Sequence, residues 1–95
     1  MKVSDITVID LVNYTRADDS EESKKFLEAA FAAAKGIIKS RTGNSDEELD
    51  EHEEFSIAVF AMVADMYDNR SMSAESTAKN LTVEAILNLH DKNFL

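Results

Sequence analysis

Residues 55–69 read Phe55-Ser56-Ile57-Ala58-Val59-Phe60-Ala61-Met62-Val63-Ala64-Asp65-Met66-Tyr67-Asp68-Asn69, the longest apolar stretch of the chain. Phe55, Val59, Met62, Val63 and Met66 recur at helical spacing and define one face. Ile57, Phe60, Ala61 and Ala64 cover much of the remaining circumference, and only Asp65 and Asp68 interrupt it with charge. A helix that is apolar on so many sides packs on more than one of them. The stretch therefore reads as the hub of a helical fold.

Upstream, residues 26–38 carry Phe26, Leu27, Ala30, Phe31, Ala34, Ile37 and Ile38, a broad apolar stripe on a second helix. Ala29, Ala30, Ala32, Ala33 and Ala34 raise helix propensity and let a neighbour approach closely. Gly36 interrupts them at a cost of about 1 kcal/mol relative to alanine, which points to close packing or a bend. Asp19, with Glu22 three positions on, predicts the cap of this helix, and Thr42-Gly43-Asn44 predicts its stop. Residues 4–14 place Ile6, Ile9 and Val12 or Asn13 near one face, with Val8 and Leu11 adjacent to it, behind a cap at Ser4 or Asp5. The β-branched content of this segment leaves a strand as its alternative. Residues 71–80 read as a polar surface loop with room for one helical turn. A short last helix follows from Leu81 or Thr82 to Asp91, aiming Leu81, Val83, Ile86, Leu87 and His90 inward, and Phe94-Leu95 leaves an apolar end. The expected architecture is all-α, a single domain over residues 1–95. It is a compact four-helix unit with a central, nearly all-round apolar third helix and a short C-terminal helix.

Nineteen acidic residues stand against ten basic ones, a formal charge of −9. That balance disfavours sequence-reading DNA binding and docking on anionic lipid, which both need a cationic face. No run approaches the roughly 20 apolar residues of a membrane span. Asp5 and Asp10 interrupt any signal-like apolar segment at the amino terminus. The absence of cysteine removes disulfides and thiolate metal sites and fits a reducing compartment. A cytosolic protein is the plain reading.

Candidate sites are few. Asp46, Glu47, Glu48, Asp50, Glu51, Glu53 and Glu54 form a dense acidic run. Seven carboxylates exceed what the free amides of one helix start can use, so most are expected in solvent, repelling one another. The run lacks calcium-loop spacing and its central glycine, so it reads as a solvated or partner-facing surface without a metal. His52 has no second histidine at His-Glu-x-x-His spacing, and His90 reads as a packing or capping residue. Ser71, Ser73 and Ser76 sit in no nucleophile elbow, and two glycines make no phosphate loop. The expectation is therefore a non-enzyme without cofactors. Tyr67 and Arg70, three apart, share a helical face beside Asn69 and read as an architectural corner or an assembly contact.

The order of features resembles that of the small helical head–tail connector proteins, also called head-completion or adaptor proteins, of long-tailed double-stranded-DNA bacteriophages and prophages. The corresponding residues are Asn13-Tyr14-Thr15-Arg16, the acidic turn Asp18-Asp19, and the Phe26-Leu27-Glu28-Ala29-Ala30 helix ending near Thr42-Gly43. Ala58 through Met66, then Tyr67-Asp68-Asn69-Arg70 and a terminal helix with Val83, Ile86 and Leu87 complete the likeness, which spans almost the whole chain. The resemblance implies a virion protein of the neck region, made in the bacterial host cytoplasm. Its copies form a ring between the portal protein and downstream connector or tail proteins, completing the filled head while DNA passes through the centre. It implies an assembly role for Arg16, Tyr67, Asn69 and Arg70. On physical grounds, part of the acidic run would then serve as a wall that DNA does not stick to. The competing expectation is an acidic helical adaptor or DNA mimic that binds a cationic partner.

Overall fold

The computed structural model describes residues 1–69 and 81–92. The expected 71–80 loop, Arg70 and the Phe94-Leu95 tail lie outside them. A 3-10 turn, Val3–Asp5, precedes α1 (Val8–Thr15), α2 (Glu21–Thr42), α3 (Asp46–Asp50), α4 (Glu54–Asp68) and α5 (Leu81–Leu89). Among the described residues the fold is all-α with no strand. Five α-helices stand among the described residues where four were expected for the chain, because short hydroxyl side chains cap it at places the apolar pattern does not mark.

The first such break falls inside residues 4–14. Ser4 and Asp5 belong to the 3-10 turn, and Thr7 is the true cap. Its hydroxyl accepts from the Asp10 N–H at 3.2 Å, while the Asp10 carboxylate accepts from the Thr7 N–H at 2.9 Å. Two otherwise orphaned donors are satisfied reciprocally. The second break separates the acidic run from the hub helix. Ser45 and Glu48 form the same reciprocal box, at 3.3 and 2.9 Å, and start α3 as a helix of its own. Its one apolar side chain, Leu49, is buried.

α2 is capped by Ser20 rather than by Asp19, since the Ser20 hydroxyl accepts from the Ser23 N–H at 3.1 Å. Glu22 takes no part in the cap. Leu27, Ala30, Ala34 and Ile38 form its buried stripe, and Gly43 ends it at φ 75° with its N–H on the Lys39 carbonyl. Ile37, expected on the stripe, is exposed. Gly36 lies beside it on the outer surface, where an added Cβ would meet nothing within 4 Å. Close packing is therefore not its reason. Gly36→Ala is expected to raise stability by about 0.5–1 kcal/mol, read as a higher urea midpoint at unchanged slope.

α4 packs against α1, α2, α5 and the 3-10 turn. Phe55, Ala58, Val59 and Val63 are fully buried, while Met62 and Met66 are half-buried and Ile57 is exposed. α5 adds Val83 and Leu87 to the same core. Its far end is clamped to the end of α2. The Lys92 N–H donates to the Thr42 carbonyl at 2.7 Å, and the Asn44 amide donates to the His90 carbonyl at 3.0 Å.

Candidate functional site

α1 ends on Arg16, whose backbone sits at φ 58°, ψ 31°, the one positive-φ non-glycine residue among those described. Its N–H closes the helix on the Val12 carbonyl, and the Ala17 N–H reaches the same oxygen at 3.2 Å. An L-residue in this region is strained by about 1–2 kcal/mol, whereas glycine is not. The Arg16 side chain is exposed. The next turn carries Asp18, whose carboxylate accepts from the hydroxyls of Ser20 and Ser23 at 2.6 Å each. Tyr67 comes to this turn from the end of α4, its ring edge-on to Phe26 with centroids 6.1 Å apart. Asp18, Ser20, Glu22, Ser23, Phe26 and Tyr67 line an open cavity of about 240 Å³. Its carboxylates and aliphatic hydroxyls come from residues 18–23, with the Tyr67 phenol brought in by α4, and Asp18 is engaged in holding the turn together.

Asn69 faces its own helix. Its side-chain amide and backbone N–H both donate to the Asp65 carbonyl, at 2.9 and 3.0 Å. Of the expected corner, then, the structure links Tyr67 to the turn that follows Arg16, assigns Asn69 to helix closure, and leaves Arg70 outside the described residues.

The acidic run departs from the expectation of mutual repulsion. Asp46 pairs with Lys39 at 3.2 Å, Glu48 with Lys92, and Glu53 with the Met1 ammonium at 3.4 Å. Asp50 accepts from the Ser4 N–H at 2.9 Å, which ties the 3-10 turn to α3. The Lys92 ammonium and the Ser45 N–H hold the Glu48 carboxyl below its usual range, as the Ser4 N–H does for Asp50. Such contacts are intact above the ordinary carboxylate pKa and are lost as acid protonates them. Glu54 turns toward two imidazoles. Asp46 and Glu53 are exposed all the same, and Glu47 and Glu51 extend into solvent with no such partner among the described residues. Carboxylates that look like a repelling block in one dimension are dealt out to partners from four other segments.

No protein-family model, no curated protein and no solved structure matches this chain.

Two groupings have no local signature. Arg41, in the last turn of α2, donates to both oxygens of Glu84 at 3.3 Å and to the Asn88 amide oxygen. Its Nε lies 3.6 Å from the Asp91 carboxylate, whose side chain is 8% exposed. The second grouping joins His52, Glu54 and His90. Glu54 Oε1 stands 3.2 Å from His90 Nε2 and 3.6 Å from His52 Nδ1. The two rings stack at 4.1 Å, with Phe55 behind them at 4.9 Å from His90. The second histidine, missed by local spacing, arrives from the end of α5. Among the described residues no helix is long and apolar enough to cross a membrane.

Proposed function

We propose that the chain is a structural subunit of a closed ring that joins the portal of a phage head to downstream connector or tail components. DNA passes through the ring without sequence-specific contact. The observation that carries this reading is Arg16. A residue held in a left-handed conformation that glycine adopts without strain retains a long cationic side chain, and that side chain points to solvent. A solvent-directed guanidinium kept at such a cost suits a contact with a neighbouring copy.

The surroundings support it. Tyr14, two residues before Arg16, is 53% exposed and lies on Phe60 with ring centroids 4.9 Å apart. Ile57, one turn from Phe60 on α4, is 55% exposed. Aromatic and aliphatic surface beside an arginine is the composition of protein contacts. α4 serves as the central helix, its inner face spent on α1, α2 and α5, which leaves the α1–α4 outer face for a neighbour. A ring requires this contact to be heterologous and to close on itself. Glu47 and Glu51, with the net charge of −9, supply the negative wall that lets DNA slide. The neck of the virion is the corresponding location.

The test is assembly on portal complexes, viewed by electron microscopy. Wild-type protein is expected to add a ring of density beneath the portal. Arg16→Gly is expected to gain about 1 kcal/mol of stability by relieving the backbone, yet to assemble poorly. Wild-type protein that leaves portals bare sinks the ring reading. A stabilised Arg16→Gly that assembles normally removes Arg16 from it.

A further inference from the structure

We infer that His52, Glu54 and His90 form a binding site for one divalent first-row transition metal ion, zinc foremost, that staples the start of α4 to the end of α5. Three donor atoms of the types zinc takes, two imidazole nitrogens and a carboxylate oxygen, all lie within 4.8 Å of one another. Atoms bonded to zinc at about 2.0–2.1 Å in tetrahedral geometry stand about 3.3–3.4 Å apart. The two separations measured from Glu54 Oε1, 3.2 and 3.6 Å, bracket that edge length.

A hydrogen bond alone explains less. It accounts for His90 Nε2 at 3.2 Å, but His52 Nδ1 at 3.6 Å from the same oxygen is beyond a proper bond. Both nitrogens nevertheless converge on that one oxygen. A cation between the three groups gives each of them a partner at once.

The supports of the site are rigid. The His52 carbonyl accepts from the Phe55 N–H at 3.1 Å, which fixes the turn that delivers His52 and Glu54. The His90 carbonyl is held by Asn44, and Phe55, fully buried, walls off the inner side of the imidazoles. His52 and Glu54 are each about two-fifths exposed, so a fourth coordination position faces outward, for water or another donor. The donor set selects the class of ion. Two imidazoles disfavour magnesium and calcium, and the absence of thiolate disfavours copper(I).

This inference is independent of the ring reading. Glu54 and His90 are 36 residues apart in the chain, so a bound ion bridges segments that are distant in sequence. An ion that binds only the folded arrangement stabilises it by mass action. The experiment uses the full chain, stripped with chelator, titrated with zinc chloride by calorimetry and with cobalt(II) by visible absorption. One ion per chain is expected, with the intense visible bands of four-coordinate cobalt. The melting temperature should rise by about 10 °C or more at free zinc about a hundred times Kd, and not with magnesium. Glu54→Gln keeps the shape of the side chain, and His52 is partly exposed, so Glu54→Gln and His52→Ala both leave the fold intact. Each is expected to weaken zinc binding at least about tenfold. The double variant Glu47→Gln/Glu51→Gln is expected to bind like wild type. Absence of saturable uptake at millimolar zinc overturns the site. So does undiminished binding by Glu54→Gln, or binding that is lost with Glu47 and Glu51.

Discussion

Phe55→Ala is expected to be the most damaging single substitution in the chain, costing about 3–5 kcal/mol. The side chain is fully buried and is the largest so buried among the described residues. Its ring meets His90 at 4.9 Å and His52 at 6.0 Å, so its removal hollows the junction between α4 and α5. Little collapse can fill the gap, because the backbone there is pinned by the His52 carbonyl and the Phe55 N–H. A chain of 95 residues has about 5–14 kcal/mol of stability in total, so this loss takes a large share of it. Denaturant unfolding measures it directly. Ile57→Ala, two positions along the same helix but 55% exposed, is the control and is expected to stay within about 0.5 kcal/mol of wild type. If the two variants exchange rank, the orientation of α4 described above is wrong.

The second large effect is expected at Arg41. Arg41→Ala removes the guanidinium that holds Glu84, Asn88 and Asp91, and should cost about 1.5–3 kcal/mol. The lower end applies to Glu84, where both side chains are about a third exposed and water screens the pair. Asp91 raises the figure, since its carboxylate is 8% exposed and loses a cation. The loss should be local. Amide protection in α5 is expected to fall well below that of α2, because the helix is then held by Val83, Ile86 and Leu87 and by the contacts at its far end, without a side-chain tie to α2 along its length. Arg41→Lys should recover only part of it, for an ammonium cannot span three acceptors in the plane of a fork. Protection in α5 that does not change relative to α2 defeats this account.

These two residues mark the boundary of what the chain reveals before it folds. The importance of Phe55 is visible in the apolar periodicity of residues 55–66, since a 3.6-residue period specifies which side chains share a helix face. The stop at Gly43 is equally local, because a left-handed residue after a helix favours glycine wherever it occurs. The exact starts are another matter. Thr7, Ser20 and Ser45 each compete with neighbouring polar residues able to cap, and the backbone geometry at the turn chooses among them. Asp18 shows how, since its carboxylate orients both Ser20 and Ser23 and leaves Asp19 outside the cap.

Helical class, the main apolar faces and the acidic character follow from the sequence by itself, because periodicity, propensity and net charge act over a few residues or need no geometry at all. Tertiary structure alone decided that the acidic run is largely paired, that Arg41 clamps α5, and that His52, Glu54 and His90 meet. Apart from Lys39 and Asp46, seven residues apart, these contacts join groups 36 or more residues apart, as Glu54 and His90 are, and packing of α4 against α5 brings that last pair within bonding distance. Spacing along a chain carries no information about such encounters; the burial of Phe55, Val83 and Leu87 in one core enforces the one between Glu54 and His90.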